Sequence, residues 1–371
     1  MSRRIGFDAR MLGRTGIGTY VEGLLRSLPH ALEGDRLVVF VQPGKRRAAE
    51  ELLPAGHQVE IQSAAAEIYR LREQLELPLR FQRARLDLLH VPHYNLPLLS
   101  RVATVVTIHD LIPLAFPGIH SSVLPRIWNR LLIQSAVTRA RRIIVPSRHT
   151  AGDLTRRLGV AEKWIATIPE AALGPISGMQ VDRGWLERLR IRPPYLLYLG
   201  QWKPYKNLST LLAAFETISA ERDDLQLVIG GRDDPRYPAP RAAAAGSRGR
   251  ILVTGWIPSA ALPALYQAAA AFVMPSLYEG FGLPVLEAMA WGSPVVCARA
   301  TSLPEVAGDA AQYWEPSTGA DGLAEAIRVA LQQDVTAGLR RRGFEQASRF
   351  SWEETARRTA AVYSEVLAGI G

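Results

Sequence analysis

Short runs of apolar residues recur along the chain, and most are followed by a turn and a stretch with helical periodicity. A short apolar run bounded by glycine, proline or polar residues is typical of a strand buried on both faces of a parallel sheet. Such runs occupy residues 5–10, 36–41, 59–61, 87–92, 104–108, 143–147, 195–200, 225–231, 251–257, 271–274 and 295–298. Helical patterns occupy residues 19–28, 67–83 (interrupted by Pro78), 123–142, 151–158, 208–220, 262–269, 283–291 and a last segment from 351. This alternation predicts two doubly wound α/β domains.

The expected domain boundaries follow from breaks in this pattern. Residues 174–178, with the sequence Gly-Pro-Ile-Ser-Gly, have no periodicity and predict a linker. We therefore expect a first domain at residues 1–173 and a second at residues 174–350. Ser351 and Glu354 have the spacing of a capping box, which predicts that a separate last helix occupies residues 351–371.

Composition limits the kinds of site that the chain can contain and the cellular compartment expected for it. The single cysteine, Cys297, excludes an internal disulfide and a cysteine-based zinc site, and it favours a reducing compartment. The N-terminus has no long apolar segment, and no run of about 20 apolar residues occurs, so we expect neither a signal peptide nor a membrane span. The expected location is cytoplasmic, with peripheral contact at the inner face of the cytoplasmic membrane as a further option.

The excess positive charge lies in the first half of the chain. Residues 1–180 contain 24 Lys and Arg against 15 Asp and Glu, whereas residues 181–371 contain 20 of each. A positive field favours anionic partners: nucleic acid, an anionic membrane surface or an anionic acceptor. Alternatively, the surface is basic without a partner.

The helix predicted at residues 123–142 is compatible either with docking on an anionic membrane or with an ordinary surface position. Its arginines and Trp128 are typical of a helix that docks on an anionic membrane. Its apolar residues equally suit an ordinary surface helix whose apolar face packs in the domain core. These are Leu124, Ile127, Leu131 and Val137.

The segment with the most chemistry is residues 274–294. A strand end leads into the turn Glu279-Gly280-Phe281-Gly282, and an apolar helix follows from Leu283. Glycine turns before a helix N-terminus expose backbone N–H groups and favour anions. Two carboxylates, Glu279 and Glu287, bracket the turn and could accept hydrogen bonds from sugar hydroxyls. The arrangement suits a ligand with a diphosphate between two sugars, although two solvated glutamates on an ordinary crossover would give the same spacing.

The longer pattern is more specific. Glu279-Gly280-Phe281-Gly282-Leu283-Pro284, followed by residues 287–296 (EAMAWGSPVV), resembles the nucleotide-sugar signature of the retaining glycosyltransferases of family four. That resemblance implies the GT-B fold, with two facing Rossmann-like domains and a C-terminal helix that crosses back onto the first. It also implies that Glu287 holds the ribose hydroxyls and Glu279 the hydroxyls of the donor sugar.

Further segments of the second domain resemble the same family. Residues 200–208 (GQWKPYKNL) resemble G-x-x-x-P-x-K-N-L, whose lysine, here Lys206, contacts the donor diphosphate. Family members often add an arginine where this chain has Gln201 or Tyr205, so either Lys203 supplies the second charge or the site is less positive. Residues 302–306 (SLPEV) resemble the family's S-x-x-P-E, a packing element near the site, with one residue fewer between Ser302 and Pro304. The implied donor-binding residues are Gly16, Gln201, Lys203, Lys206, Thr254, Trp256, Gly280, Phe281, Gly282, Leu283 and Glu287.

In the first domain, the resemblance covers a glycine loop and a histidine. Residues 13–20 (GRTGIGTY) resemble the loop under the donor diphosphate and the acceptor. The segment Val-Thr-Ile-His109-Asp110-Leu resembles the one whose histidine faces the donor sugar. The resemblance thus implies His109, Glu279 and Lys206 as catalytic residues. It places Gly18, His93 and Asp110 on the acceptor side.

The implied reaction is glycosyl transfer with retention of configuration. No Asp-x-Asp motif lies at a predicted strand end, so we expect neither a metal nor another cofactor. The leaving phosphate would take the acceptor's proton, and His109 would position and polarise. Residues 7–10 and 109–111 resemble bacterial mannosyl- and rhamnosyltransferases of surface polysaccharides, which favours a GDP-sugar donor and a glycan or lipid-linked acceptor.

Two other classes of protein remain open from the sequence. One is a sugar-nucleotide epimerase or hydrolase of the same architecture. The other is a non-enzymatic protein that binds polyanions or membrane surfaces. No nucleic-acid motif is present, so we do not expect nucleic acid as a partner.

Overall fold

The chain forms two compact units. The computed structural model describes residues 2–14, 16–119, 123–174 and 180–369. Unit 1 comprises Met1–Ala171 together with Phe350–Gly371, and unit 2 comprises Ala172–Arg349. The predicted linker, apart from Gly174, lies outside the described residues.

Unit 1 is built on a parallel sheet. Its described strands are β1 Arg4–Asp8, β2 Arg36–Val41, β3 Val59–Ser63, β4 Leu88–Val91, β5 Thr104–Thr107, β6 Arg142–Val145 and β7 Ile165–Thr167. They lie in the order β3-β2-β1-β4-β5-β6-β7, and each pair is parallel. The described helices are α1 Ile17–Ala31, α2 Arg46–Leu52, α3 Leu71–Arg83, α4 Ile112–Ala115, α5 Val123–Arg139, α6 Arg148–Leu158 and the last helix, α15 Trp352–Ala368.

Unit 2 repeats this plan with a second parallel sheet. Its described strands are β8 Tyr195–Leu199, β9 Gln226–Gly230, β10 Ile251–Gly255, β11 Ala271–Met274, β12 Val295–Ala298 and β13 Ala311–Trp314. Their order is β10-β9-β8-β11-β12-β13. The described helices are α7 Gly184–Arg188, α8 Leu208–Glu221, α9 Ala239–Gly246, α10 Leu262–Ala268, α11 Leu283–Ala290, α12 Leu303–Ala307, α13 Gly319–Ala330 and α14 Gln333–Ala347.

Both sheets have a point where the strand order reverses. In unit 1, successive strands run outward from β1 on one side and from β4 on the other, and in unit 2 they do so from β8 and β11. In doubly wound sheets, ligands bind beyond the carboxyl ends of the strands at this point. The prediction of two doubly wound domains is confirmed, and this topology selects the loops after β1, β4, β8 and β11 as candidate site loops.

The last helix packs on unit 1, next to α1. Ser351 accepts a hydrogen bond from the N–H of Glu354, as the capping pattern predicts, while the Glu354 carboxylate pairs with Arg357. A Cβ at Gly23 of α1 would lie 2.1 Å from the Trp352 ring, so glycine is required for this close approach. The hydroxyl oxygen of Tyr363, on the same helix, lies 2.6 Å from Nδ1 of His90 in β4.

One sequence-based expectation in unit 1 is wrong, and one of two open alternatives is met only in part. Pro78 does not interrupt the helix, since α3 runs through it from Leu71 to Arg83. The apolar stripe of α5 does not pack as a whole in the core. Leu124, Ile127 and Leu131 are exposed, with relative accessibilities of 78%, 51% and 55%. The residues of α5 that pack in the core are Leu132, Ile133 and Ala136, with Trp128 and Val137 packed against them.

We expect Gly231→Ala to destabilise unit 2 by about 3 kcal/mol or more. Gly231 has a φ of +122°, and a Cβ there would lie 2.1 Å from the carbonyl oxygen of Gly200. Gly246→Ala is the matched control, because among the described residues no atom beyond its chain neighbours and its own helix backbone lies within 4 Å of that Cβ position in α9. The control should be neutral or stabilising by up to about 1 kcal/mol. Equal denaturation midpoints for the two variants would contradict the assigned close approach.

Candidate active site

The glycine turn of unit 2 is held by the segment that follows β12. Ser302 donates to the carbonyl oxygens of Glu279 and Phe281, at 2.9 and 2.8 Å, and Thr301 Oγ1 accepts from the N–H of Glu279 at 3.0 Å. Gly282 has a φ of +103°, and a Cβ there would lie 2.6 Å from the Leu303 side chain. Residues 301–303 therefore fix the turn that leads into α11, which is the packing role expected of this segment.

Two of the predicted catalytic residues lie side by side. Lys206 ends a 3₁₀ turn, Pro204–Lys206, beyond β8, and Glu279 lies beyond the neighbouring strand β11. The Lys206 Nζ atom is 2.6 Å from Glu279 Oε1, and both side chains are largely buried. The strand reversal thus places a cation and a carboxylate together just before the N-terminus of α11.

Lys203 has a different partner from the one its predicted role requires. Its Nζ atom is 2.7 Å from Asp234 Oδ2. Hydrogen bonds from Arg236, and then from Lys203, hold the pKa of Asp234 well below its usual range. Asp234 is therefore ionised at neutral pH and compensates the charge that Lys203 would bring to a diphosphate.

Glu287 lies on α11, next to the Tyr266 hydroxyl. The side chain is half-buried, and the hydroxyl of Tyr266 donates to its Oε2 at 2.9 Å. Burial raises the pKa of Glu287 to about 7, although the Tyr266 hydrogen bond acts in the opposite direction. Its charge therefore changes within the physiological range. Nothing in the sequence singled out Tyr266 as its partner.

The remaining predicted donor-side residues lie at the same strand ends or in the turn. Gln201 is exposed, and its carbonyl oxygen accepts from the Tyr198 hydroxyl. Trp256 is 62% exposed after β10, and Thr254 lies in β10. The side chains of Phe281 and Leu283 are buried, so a ligand at the turn would meet their backbone atoms.

In unit 1, the two predicted glycines differ in their surroundings. Gly16 caps α1 with a φ of +68°, and in the described part of the chain no atom beyond its neighbours in sequence lies within 4 Å of a Cβ at this position. A Cβ at Gly18 would lie 3.1 Å from the carbonyl oxygen of Met11. Gly16 therefore borders open space, whereas Gly18 permits close packing within the loop.

His109 is held at both ring nitrogens. Its Nδ1 atom lies 2.7 Å from Glu170 Oε1, and its Nε2 atom lies 3.0 Å from the carbonyl oxygen of Pro92. Burial lowers the pKa of His109, but hydrogen bonding and charge from Glu170 outweigh it, so the net shift is upward. Sequence reasoning missed Glu170, whose only signal was its position after a strand-like segment that ends in Pro169.

The predicted acceptor-side residues make contacts within unit 1. His93 is buried, lies within hydrogen-bonding distance of the Tyr69 hydroxyl and packs on Tyr94. Burial lowers the pKa of His93 to about 3, so it is neutral. Asp110 accepts from the N–H of Ile112 at 2.9 Å, at the start of α4. Contact of either residue with an acceptor stays a prediction.

A buried ionic cluster lies beneath these loops. Arg10 donates to Asp8 at 2.7 Å and to Glu73 at 2.6 Å, and Glu73 also accepts from Asn95 at 2.7 Å. All four side chains are buried. Since Asp8 ends β1 and Asn95 follows β4, the cluster ties together the loops at the strand reversal of unit 1.

The described residues offer neither a metal cluster nor a membrane-spanning helix. No group of three or more His, Cys, Asp or Glu in the described ranges has the arrangement of a metal site. Within the same ranges, no helix is long and apolar enough to cross a membrane. Independence from metals remains a prediction.

Comparison with known proteins identifies the family. A family model described as Glycosyltransferase Family 4 matches residues 14–171, and one described as Glycosyl transferases group 1 matches residues 186–350. O-antigen chain mannosyltransferase B of Escherichia coli is 31% identical over 375 residues, covering 94% of this chain and 96% of that protein. MMP alpha-(1->4)-mannosyltransferase of Mycolicibacterium hassiacum is 29% identical over 291 residues, covering 76% and 69%.

A solved structure shows the same fold. Sucrose-phosphate synthase of Thermosynechococcus elongatus superimposes with a TM-score of 0.75 at 21% identity, covering 99% of this chain and 100% of that chain. The two parallel sheets, the glycine turn and these similarities define a glycosyltransferase of the GT-B fold. The chain belongs to the family-four glycosyltransferases and resembles their mannosyltransferases.

Proposed function

We propose that the protein is a retaining, metal-independent mannosyltransferase. It takes mannose or a related sugar from a GDP-sugar and transfers it to a glycan or lipid-linked acceptor in the synthesis of cell-surface polysaccharide. The relatives that act on mannose and on O-antigen support the sugar and the pathway class. The similarity of residues 7–10 and 109–111 to mannosyl- and rhamnosyltransferases supports the GDP-sugar.

The observation that carries the proposal is the Lys206–Glu279 pair, with its 2.6 Å separation, immediately before α11. Glycosyl transfer leaves negative charge on the departing diphosphate, and a preorganised cation and helix N-terminus stabilise that charge. In the proposed complex, Lys206 contacts the diphosphate and Glu279 accepts from hydroxyls of the donor sugar. Glu287, deeper in α11, accepts from the ribose hydroxyls.

Retention follows from the proposed proton route. The acceptor hydroxyl attacks the anomeric carbon on the face that the diphosphate leaves, and the leaving phosphate oxygen takes the acceptor's proton. No protein nucleophile is needed, so His109 positions and polarises. The acceptor binds to unit 1 and the donor to unit 2.

The test is a calorimetric titration of the full chain with GDP, UDP, ADP and their sugars, in EDTA and again in Mg²⁺. We expect micromolar binding of GDP and a GDP-sugar, unchanged by EDTA. The anomeric configuration of the first product, followed by NMR at early times, should match that of the donor. Preference for another nucleotide would overturn the assignment of a GDP-sugar as donor. Binding that depends on Mg²⁺ would overturn metal independence, and a product of inverted configuration would overturn the proposed proton route.

The exposed apolar face of α5 supports peripheral contact of unit 1 with an anionic membrane. Leu124, Ile127 and Leu131 are exposed. Residues 123–139 contain three arginines and no acidic residue, and Arg126 and Arg130 are exposed. Apolar side chains beside arginine suit the interface of a membrane with anionic lipid, where a lipid-linked acceptor would be found.

We expect the chain to float with vesicles that contain phosphatidylglycerol and to bind pure phosphatidylcholine vesicles weakly. The double variant Leu124→Ser/Ile127→Ser should lower the vesicle partition coefficient by at least about tenfold, because each leucine-sized side chain contributes roughly 1.5–3 kcal/mol on burial. Leu75→Ser/Leu79→Ser on α3 is the control, since those leucines are exposed as well. Equal partition of the α5 variant and wild type would rule out this face.

A further inference from the structure

The imidazole ring of His109 lies between two hydrogen-bond acceptors. Nε2 faces the carbonyl oxygen of Pro92 at 3.0 Å, and Nδ1 faces a carboxylate oxygen of Glu170 at 2.7 Å. A carbonyl oxygen accepts and never donates, so Nε2 must carry a hydrogen. An ionised carboxylate also only accepts, which puts a second hydrogen on Nδ1. A ring with both hydrogens is an imidazolium.

We propose that Glu170 is a positioning residue that keeps His109 doubly protonated, so that His109 is a fixed cation and a hydrogen-bond donor rather than a base. The part of this inference that concerns catalysis rests on the proposed transferase function. The part that concerns the charge of His109 does not, because it rests on the hydrogen-bond geometry together with an ionised Glu170 carboxylate.

The loop that carries Glu170 is anchored by the last helix. Thr355 of α15 donates to the carbonyl oxygen of Pro169 at 2.8 Å, and Arg358 donates to that of Thr167 at 2.6 Å. Further contacts hold both the ring and the backbone of His109. Tyr20 packs edge-on against it with centroids 4.8 Å apart, and Thr150 donates to the His109 carbonyl oxygen at 3.3 Å. A side chain held this firmly suits a positioning role.

The other titratable groups around His109 leave its charge in place. Asp110 follows it in the chain and also raises its pKa. Burial, with the charge of His109 as a smaller cause, lowers the pKa values of His90 and His93 to about 3, so both are neutral. Burial raises the pKa of Tyr20, which stays protonated. His109 and Glu170 therefore form a charge pair among largely neutral neighbours.

A carboxylate and an amide at position 170 would favour different protonation states of the His109 ring. In Glu170→Gln, the side-chain amide can rotate and donate to Nδ1 of a neutral ring, while Nε2–H still donates to Pro92. Both hydrogen bonds then survive with one proton fewer. Since burial lowers the pKa of His109 when Glu170 no longer opposes it, the ring should become neutral at pH 8.

The first test is ¹⁵N NMR of the full chain, with the His109 signal assigned by its loss in His109→Asn. We expect wild-type His109 to carry hydrogen on both nitrogens from pH 6 to pH 8, and Glu170→Gln to carry it on Nε2 only at pH 8. A wild-type ring that is neutral at pH 7.5, or that titrates near the ordinary value of about 6.5, would overturn the proposal.

The second test is the pH profile of glycosyl transfer. Glu170→Gln should lower kcat at pH 8 by about 100-fold, in line with the loss of one preorganised charge, change the donor KM less than about threefold, and regain activity toward pH 6. Glu170→Asp, which keeps the charge, should have a kcat at pH 8 closer to that of the wild type. Glu162→Gln, on the exposed surface, should have the same kcat as the wild type. An equal loss of kcat at every pH would show a merely structural role. If the chain transfers no sugar, the proposed function fails, but the NMR result still decides the charge of His109.

Discussion

Replacing Lys206 by methionine is expected to lower kcat/KM for the nucleotide sugar by a factor of about 100 to 1,000, the usual effect of removing one preorganised group that stabilises developing charge. Lys206 is the cation nearest Glu279 in unit 2, at 2.6 Å, and its side chain is 14% exposed. A largely buried cation loses little of its field to solvent. Steady-state kinetics with a saturating acceptor would measure the change.

Two controls separate chemistry from stability in this experiment. Loss of Lys206 leaves the Glu279 carboxylate, which is 9% exposed, without its cation, and such an unpaired charge can cost several kcal/mol. The double variant Lys206→Met/Glu279→Gln removes that charge and should recover thermal stability without recovering activity. Lys203→Met should have the smaller kinetic effect, because Asp234 already compensates Lys203. If Lys206→Met keeps more than about a tenth of wild-type kcat/KM, Lys206 does not stabilise the leaving group.

The fold was predictable where local pattern and tertiary environment agree. Interior strands such as β2 and β5 are rich in buried β-branched or apolar residues because both of their faces are covered, and their positions match the prediction closely. The short strand β7, the half-buried edge strand β13, and helices α13 and α14 were not assigned. Edge strands and charged helices depend on neighbours distant in sequence, so their composition gives a weak local signal.

The candidate site was predictable in its parts but not in its pairings. The glycine turn and the Lys206 loop are contiguous segments, so their residues could be read directly. The pairing of Lys206 with Glu279 depends on β8 and β11 being neighbours, which the sequence does not state. The same holds for Glu170 beside His109 and Tyr266 beside Glu287, which are 61 and 21 residues apart. Lys203 shows the converse, since its pairing with Asp234 weakens a role that its position suggested.

Binding of the nucleotide sugar is expected to strengthen about tenfold between pH 6 and pH 8 through the ionisation of Glu287. Burial raises the pKa of this carboxyl to about 7 in the ligand-free chain. Ribose hydroxyls that donate to the carboxylate favour its charged form, so the bound state has the lower pKa. Below pH 7, binding must release a proton, and the affinity falls by up to tenfold per pH unit. Calorimetry with a GDP-sugar is suitable, because both of its phosphates are esterified and stay ionised.

Glu287→Gln should abolish this pH dependence and weaken binding at pH 8 by roughly 10- to 100-fold, since hydrogen bonds to a charged acceptor contribute about 1.5–3 kcal/mol. Tyr266→Phe should shift the midpoint of this pH dependence to higher pH, because it removes a hydrogen bond that lowers the pKa of Glu287. The ligand-free chain should show the linked stability effect. The folded pKa lies above the ordinary 4.5, so this group's contribution to the free energy of unfolding is present below pH 4.5 and is lost as the pH rises through 7. A wild-type affinity that is constant from pH 6 to pH 8, or that varies equally in Glu287→Gln, would show that this carboxylate does not hold the ribose.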